Sequence, residues 1–160
     1  SMNARHFGLR SLTCLVAALS LLPVCSADDE EDPYWEGFYS GYYLYLRQAD
    51  LSVGILSDAA IKGVYEKETA IAVCNIHGTS AATVQKDLLK LAKADDTDEE
   101  DAKVLTSMAK SAALVKAQAD ALAALLEGDK EQAGKFSEAR ESTSKSLAAL
   151  EKQIKELLGE

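Results

Sequence analysis

The chain has 160 residues, of which 48% are hydrophobic and 27% charged, and its formal net charge is −9 at pH 7. A surface this acidic repels phosphate backbones and anionic lipid, because binding to either depends on Lys and Arg side chains. The composition is otherwise that of a globular protein, and we expect no nucleic-acid partner.

The first 27 residues have the pattern of a secretory signal peptide. Two arginines precede an apolar run over residues 12–24, and small residues lead to a cleavage site after Ala27. Ser1, which precedes the first methionine, is interpreted as an expression scar. The apolar run is shorter than the roughly 20 residues of a membrane-spanning helix, and no second long run follows, so we expect no transmembrane anchor in the mature form. The protein is predicted to be periplasmic or secreted.

An alternative cleavage leaves a lipoprotein anchored through Cys25. Residues 21–25, LLPVC, distantly resemble the lipobox of bacterial lipoproteins. Val24, directly before the cysteine, fits that pattern poorly, so cleavage after Ala27 is the favoured prediction.

Cleavage after Ala27 leaves 133 of the 160 residues, with one cysteine, Cys74, and one histidine, His77. All 26 acidic residues but only 15 of the 17 basic ones remain, so the formal charge of this part is −11. A lone cysteine forms no intramolecular disulfide, and stability must therefore come from packing. This length is enough for one domain, predicted over residues 34–158, that buries about two-thirds of its unfolded surface.

Residues 28–33 are predicted to form an acidic disordered tail, and Pro33 suits the first turn of a helix. Apolar residues then recur at alternating steps of four and three, which places one stripe on one helix face. The stripe consists of Trp35, Tyr39, Tyr42, Leu46, Ala49, Val53 and Leu56. Residues 34–76 are compatible with one helix or two, and we favour a break between residues 50 and 57.

The next predicted helix is interrupted in its middle. Residues 58–76 and 80–94 have helical patterns, and Gly78 between them suits the left-handed position that ends many helices. The alternation in TAIAVCNI, residues 69–76, leaves a short buried strand as the alternative.

The last two helices have clear ends. The residues from Thr97 to Glu100 match a capping box, Gly128 stops the first helix, and Asp129 can cap the second. We expect an antiparallel hairpin of residues 98–127 and 130–158. Its stripes are Leu105, Met108, Ala112, Val115, Ala119, Leu122 and Leu126, then Phe136, Ala139, Thr143, Leu147, Leu150, Ile154 and Leu157. The predicted fold class is all-α, an antiparallel up-and-down four-helix bundle with one helix interrupted near Gly78.

Residues 34–46, YWEGFYSGYYLYL, carry five of the six tyrosines and the one tryptophan. A helix this aromatic exceeds what one small bundle can bury, and exposed aromatic residues concentrate at binding surfaces. The predicted binding residues are Tyr34, Trp35, Tyr39, Tyr42 and Tyr43. The alternative is an aromatic wall of the core with its hydroxyls facing water. Gly37 and Gly41 lie on another face, where a neighbouring helix can approach closely.

Cys74 and His77 are three residues apart and share a helix face, so they can bind one metal ion together. Two ligands are fewer than the three of a catalytic zinc site or the four of a structural one. The segment CNIHG also lacks the second cysteine of covalent haem attachment. The simpler interpretation places Cys74 in the core and His77 on the last turn of a helix.

No Gly-rich phosphate loop, nucleophile elbow or second histidine follows the signal peptide, so the sequence does not favour an enzyme. We expect an exported non-catalytic helical bundle that presents its Tyr-rich first helix to a protein partner or a small apolar ligand; a homodimer is compatible with this. No cofactor is predicted. The alternative is a metal- or haem-binding bundle that uses Cys74 and His77, with Tyr39 and Tyr42 lining its interior.

Overall fold

The structure, a computed structural model, describes residues 33–159. The predicted signal peptide, residues 1–27, lies outside the described residues, as does the predicted acidic tail apart from Pro33. Contacts between Cα atoms divide the chain after Tyr34, and the packing described below belongs to the unit that begins at Trp35.

The described residues form four helices and no strand, which confirms the predicted all-α class. The helices are α1, Pro33–Ile61; α2, Lys67–Leu91; α3, Glu99–Glu127; and α4, Gln132–Leu157. Their packing is compatible with a bundle. None of the helices in the described range has both the length and the apolar character needed to cross a bilayer.

The predicted break between residues 50 and 57 is wrong, because α1 is continuous there. Packing against α4 explains why a glycine is tolerated in this helix. A Cβ atom on Gly54 would lie 2.7 Å from Nη2 of Arg140, so a side chain at this position would require the flexible end of the arginine to move. Ser57, another residue that disfavours helix, is buried with 4% exposure.

The end of α1 comes later, at a glycine. Gly63 has a φ of +68° and donates its N–H to the carbonyl of Ala60 at 3.1 Å. The N–H of Val64 reaches back to the carbonyl of Ala59 at 2.9 Å. These two hydrogen bonds are those of a Schellman motif, which satisfies carbonyls that the last helical turn leaves free.

The predicted interruption of a helix near Gly78 is also wrong, since α2 passes through this residue without a break. Gly78 is buried, and a Cβ atom on it would lie 2.9 Å from Oδ1 of Asp120 and 3.8 Å from Cβ of Ala119. The glycine therefore allows close approach of α2 to α3 and does not end a helix. The alternative of a strand at residues 69–76 is wrong for the same reason.

The start of α3 differs from the predicted capping box by one residue. Asp98 is the N-cap, and its carboxylate accepts the N–H of Asp101 at 2.8 Å. The Thr97 hydroxyl instead donates to the carbonyl of Leu91 at 2.8 Å, which ties the α2–α3 turn to the end of α2.

The predicted helix end at Gly128 is confirmed, whereas the predicted cap at Asp129 is wrong, because the N-cap of α4 is Glu131 and no side chain caps it. Gly128 takes the left-handed conformation with a φ of +116°, and the N–H of Asp129 donates to the carbonyl of Ala124 at 3.0 Å. The Asp129 carboxylate accepts the N–H of Glu131 at 3.1 Å just before α4 begins. The bounds of α3 and α4 lie within two residues of the predicted hairpin helices.

The buried side chains form two clusters. Cluster A contains Tyr39, Leu46, Ala49, Ala81, Leu88, Val104, Leu105, Met108, Ala109, Ala112, Val115, Leu147, Leu150 and Ile154. Cluster B contains Val53, Leu56, Ala70, Cys74, Ala119, Ala121, Leu122, Ala123 and Phe136. Polar or small residues separate the clusters on every helix: Asp50 on α1, Gly78 on α2, Gln118 on α3 and Thr143 on α4. We call these four residues the polar layer.

Candidate functional site

One face of α1 is apolar and is not covered by the other helices. Leu44, Leu51 and Ile55 are 61%, 56% and 63% exposed. They belong to a line of exposed residues spaced by alternating steps of four and three, the same spacing as the buried stripe but on the opposite side of the helix. We call this line the outer seam: Gly37, Gly41, Leu44, Gln48, Leu51 and Ile55.

The two glycines of the outer seam are not required by the fold of the chain itself. A Cβ atom on Gly37 or Gly41 would meet nothing within 4 Å among the described residues. Neither glycine has a positive φ, so neither is needed for a turn. A glycine inside a helix costs roughly 0.5–1 kcal/mol relative to alanine.

The outer seam carries no charge in a chain whose formal net charge is −9. Between Gly37 and Ile55 the charged residues are Arg47 and Asp50. Asp50 belongs to the polar layer, and Nη1 of Arg47 donates to the hydroxyl of Tyr43 at 3.3 Å, on the side of α1 that faces α4. Contiguous apolar surface without charge is typical of the centre of a protein interface.

The aromatic residues of α1 pack mainly inward. The rings of Trp35 and Tyr39 stack with their centroids 5.6 Å apart, and those of Phe38 and Tyr42 are 4.7 Å apart. Tyr39 is 1% exposed and donates its hydroxyl to the carboxylate of Asp101 on α3. Burial and this carboxylate raise the pKa of Tyr39, which keeps the hydroxyl neutral as a donor.

The predicted binding residues therefore divide by location. Trp35 and Tyr42 are half-buried against cluster A, and Tyr39 is inside it. Tyr43 faces α4, where its hydroxyl donates to Glu151 at 2.8 Å, and burial raises the pKa of Tyr43. The side chain of Tyr34 lies outside the described part of the chain. The aromatic side chains contribute mostly to packing between helices, while the exposed apolar surface of α1 is aliphatic.

Cys74 and His77 lie in an environment that disfavours their charged forms. Cys74 is a free, fully buried thiol within cluster B, and burial raises its pKa to about 11. Burial lowers the pKa of the half-buried His77. Both are neutral at pH 7 as a result. No group of three or more His, Cys, Asp or Glu side chains that could hold a metal ion occurs among residues 33–159.

Two shallow grooves lie along α4. One, of about 260 Å³, is formed with α1 and is lined by Tyr43, Arg47, Asp50, Leu51, Ser144, Leu147, Ala148 and Glu151. The other, of about 280 Å³, is formed with the start of α3 and is lined by Glu100, Lys103, Val104, Gln153, Glu156 and Leu157. Both are below the roughly 300–1,000 Å³ of typical small-molecule sites.

The polar layer contains buried groups whose hydrogen bonds are not formed. Gln118 has no exposed surface, and its side-chain amide forms no hydrogen bond of good geometry with the described residues, although it lies close enough to Asp50 to affect the pKa of that carboxyl. Oδ1 of Asp50 also forms no hydrogen bond of good geometry with the described residues. Gln118 and Arg140 act to lower the pKa of Asp50, but burial is the larger effect and raises it. Burial of these polar groups costs free energy, so the polar layer stabilises the bundle less than either apolar cluster does.

The predicted binding residues of α1 were its aromatic side chains, and none of the outer-seam residues was among them. The spacing of the seam was visible in the sequence, because Gly37, Gly41, Leu44, Gln48, Leu51 and Ile55 follow the same heptad rhythm as the buried stripe. A helix with two apolar stripes predicts burial on one face and contact on the other. On α1, the stripe that contains the larger, aromatic side chains is the one that faces the core.

A scan against protein-family models, a search of curated proteins and a search of solved structures each found no match for this chain.

Proposed function

We propose that the protein is an exported, non-catalytic interaction module that binds another protein through the outer seam of α1. The observation that carries this proposal is the exposure of Leu44, Leu51 and Ile55 at 61%, 56% and 63% along one line of α1 that contains no charged residue. Burying such side chains in an interface contributes favourable free energy in proportion to the apolar area removed from water.

A protein partner fits this surface better than a small ligand does. From Gly37 to Ile55 the seam spans 19 residues, which corresponds to about 27 Å of helix between the first and the last. An extended, convex helix face encloses little of a small molecule, whereas a second helix can lie along its full length.

The proposal includes an up-and-down antiparallel arrangement of the four helices. Early α1 contacts late α4 through Tyr43 and Glu151, and late α1 meets early α4 at Gly54 and Arg140. The hydroxyls of Ser111 on α3 and Ser146 on α4 lie 2.9 Å apart, near the middle of both helices. Those contacts favour antiparallel neighbours, and the outer seam is then on the outside of the bundle.

A capture experiment tests the binding surface. The tagged protein and the variants Leu51→Asp, Ile55→Asp and Ile76→Asp are used to capture partners from the native envelope fraction, followed by mass spectrometry. Ile76 is 49% exposed on α2, so Ile76→Asp is a matched control for a charge on an exposed aliphatic position. We expect the two seam variants to reduce capture about tenfold or more, because a charge buried at the centre of an interface is strongly unfavourable. Equal capture by all four proteins would contradict the proposal.

A further inference from the structure

The outer seam is complementary to itself when two copies run in opposite directions. We propose that its partner is a second copy of this chain, packed antiparallel along α1; the inference rests on the function proposed above and names the partner of that surface. The reasons come from the spacing of the seam, the placement of its glycines and its size.

The spacing of the outer seam is that of a coiled-coil interface. Its steps of four and three alternate without interruption from Gly37 to Ile55, which matches the a and d positions of successive heptads. Because the residues on this line are exposed, the seam is available along its whole length.

The order of residues in the seam favours an antiparallel pair. When two copies are aligned around position 46, every seam residue has a counterpart. Ile55 then lies opposite Gly37 of the second copy, Leu51 opposite Gly41, and Leu44 opposite Gln48. Two large aliphatic side chains from each helix thus face glycines on the other. A parallel pair would place the glycines opposite each other at one end and the large side chains opposite each other at the other end.

The antiparallel pair explains why the seam contains two glycines. Gly37 and Gly41 have open space around them in the single chain, so their cost in helix stability is uncompensated there. In the antiparallel pair they receive Ile55 and Leu51, which allows the two helix backbones to approach closely. Small residues at a helix contact have the same effect in membrane proteins.

The size of the seam predicts a reversible dimer. A strip about 27 Å long and about 10 Å wide is smaller than the roughly 800 Å² that each partner buries in a typical stable complex. The chain is also strongly acidic outside the seam, and repulsion between copies opposes association at low salt. We therefore expect a monomer–dimer equilibrium that depends on concentration and shifts toward the dimer as salt rises.

Sedimentation velocity of the exported protein, purified from its host and studied over a range of concentrations, tests the dimer. The critical variant is Gly41→Leu, since a Cβ atom at this exposed position meets nothing within 4 Å in the single chain and leucine has a better helix propensity than glycine. We expect it to keep or raise the Tm of the monomer while weakening the dimer at least tenfold. Gly134→Leu is the matched control, because Gly134 also lies in a helix with nothing within 4 Å but on α4.

Disulfide trapping tests the direction of the pair. A chain with Gly37→Cys is mixed with a chain with Ile55→Cys under mild oxidation, and the native Cys74 is buried and does not interfere. We expect the mixture to form a cross-linked heterodimer and Ile55→Cys alone to form none, because the two copies of residue 55 would be about 27 Å apart. Cross-linking of Ile55→Cys alone, without the heterodimer, would overturn the antiparallel arrangement.

The outcomes separate this inference from the proposed function. A protein that stays monomeric at every concentration overturns the second copy as partner. If Leu51→Asp still loses capture from the envelope fraction in that case, the proposed function stands with a different protein partner. If capture is unchanged as well, both are wrong.

Discussion

Asp50 is a carboxyl group in the middle of the bundle, and its protonation is coupled to folding. Burial raises its pKa above the ordinary value of 3.8, although Gln118 and Arg140 act in the opposite direction. The folded state therefore holds this proton more tightly than the unfolded chain does. The contribution of Asp50 to the free energy of unfolding is most favourable below about pH 3.8 and falls as pH rises through the raised pKa of the folded state.

The variant Asp50→Asn tests this coupling. Asparagine has nearly the same shape and never ionises, so the variant should gain stability relative to the wild-type protein as pH rises from 4 toward neutrality. Urea unfolding of both proteins at several pH values measures the difference. The exposed glutamates paired with lysines, such as Glu141 with Lys145, have lowered pKa values and the opposite pH dependence, but they are the same in both proteins. A stability difference that does not vary with pH would show that Asp50 is not buried as described.

At the scale of helices, the roles of the glycines differ with position. Gly63 and Gly128 have positive φ and end α1 and α3. Gly54 and Gly78 lie inside helices where a neighbouring helix comes close. The same residue type therefore ends a helix in one case and allows close packing in the other.

A pair of alanine substitutions distinguishes these roles. Gly128→Ala forces a residue with a side chain to adopt a φ of +116°, which should lower the free energy of unfolding by about 1–3 kcal/mol. Gly134→Ala lies near the start of α4 with an ordinary φ and open space, and should raise it by up to about 1 kcal/mol. Urea unfolding measures both. Changes of the same sign in the two variants would contradict the assignment of Gly128 as a left-handed helix end.

The elements that the sequence predicted well are those determined by local chemistry. The end of α3 at Gly128 follows from the left-handed preference of glycine, and the buried stripes of α3 and α4 follow from apolar periodicity. The false breaks at residues 50–57 and at Gly78 have a common cause. Local propensity disfavours helix at these positions, but contacts with Arg140 and Asp120 on other helices favour the absence of a side chain there. Such contacts are not visible in one helix considered alone.

The predicted aromatic site and the outer seam lie on the same helix, α1, but consist of different side chains. The aromatic residues of α1 were predicted to form a binding surface, but Tyr39 is buried and the Tyr43 hydroxyl donates to Glu151 on α4. Side chains as large as tyrosine contribute most when they are buried between helices, and their hydroxyls then need partners. The aromatic side chains occupy the core side of α1, and the aliphatic seam lies on its outer side.

In the whole molecule, two apolar clusters are joined by a polar layer, and the described part has no disulfide. The ion pairs on its surface, such as Glu99 with Lys103, are exposed and contribute little to stability. Apolar packing is therefore the main source of stability. The polar layer, where the Gln118 amide forms no hydrogen bond of good geometry, contributes less to the free energy of unfolding than the apolar clusters do.

The outer seam is an apolar line of α1 that the other described helices leave exposed. The exposed large apolar side chains of the described helices are Leu44, Leu51 and Ile55 in the seam, Ile61 at the last position of α1, and Ile76 on α2. If the seam is an interface, its side chains should be covered in the native envelope and uncovered in dilute purified protein.

Hydroxyl-radical footprinting with mass spectrometry compares these two states directly. We predict that labelling of Leu44, Leu51 and Ile55 falls several-fold in the envelope fraction, while labelling of Ile76 is the same in both. Equal labelling of the seam residues in the two states would contradict the claim that α1 carries the binding surface.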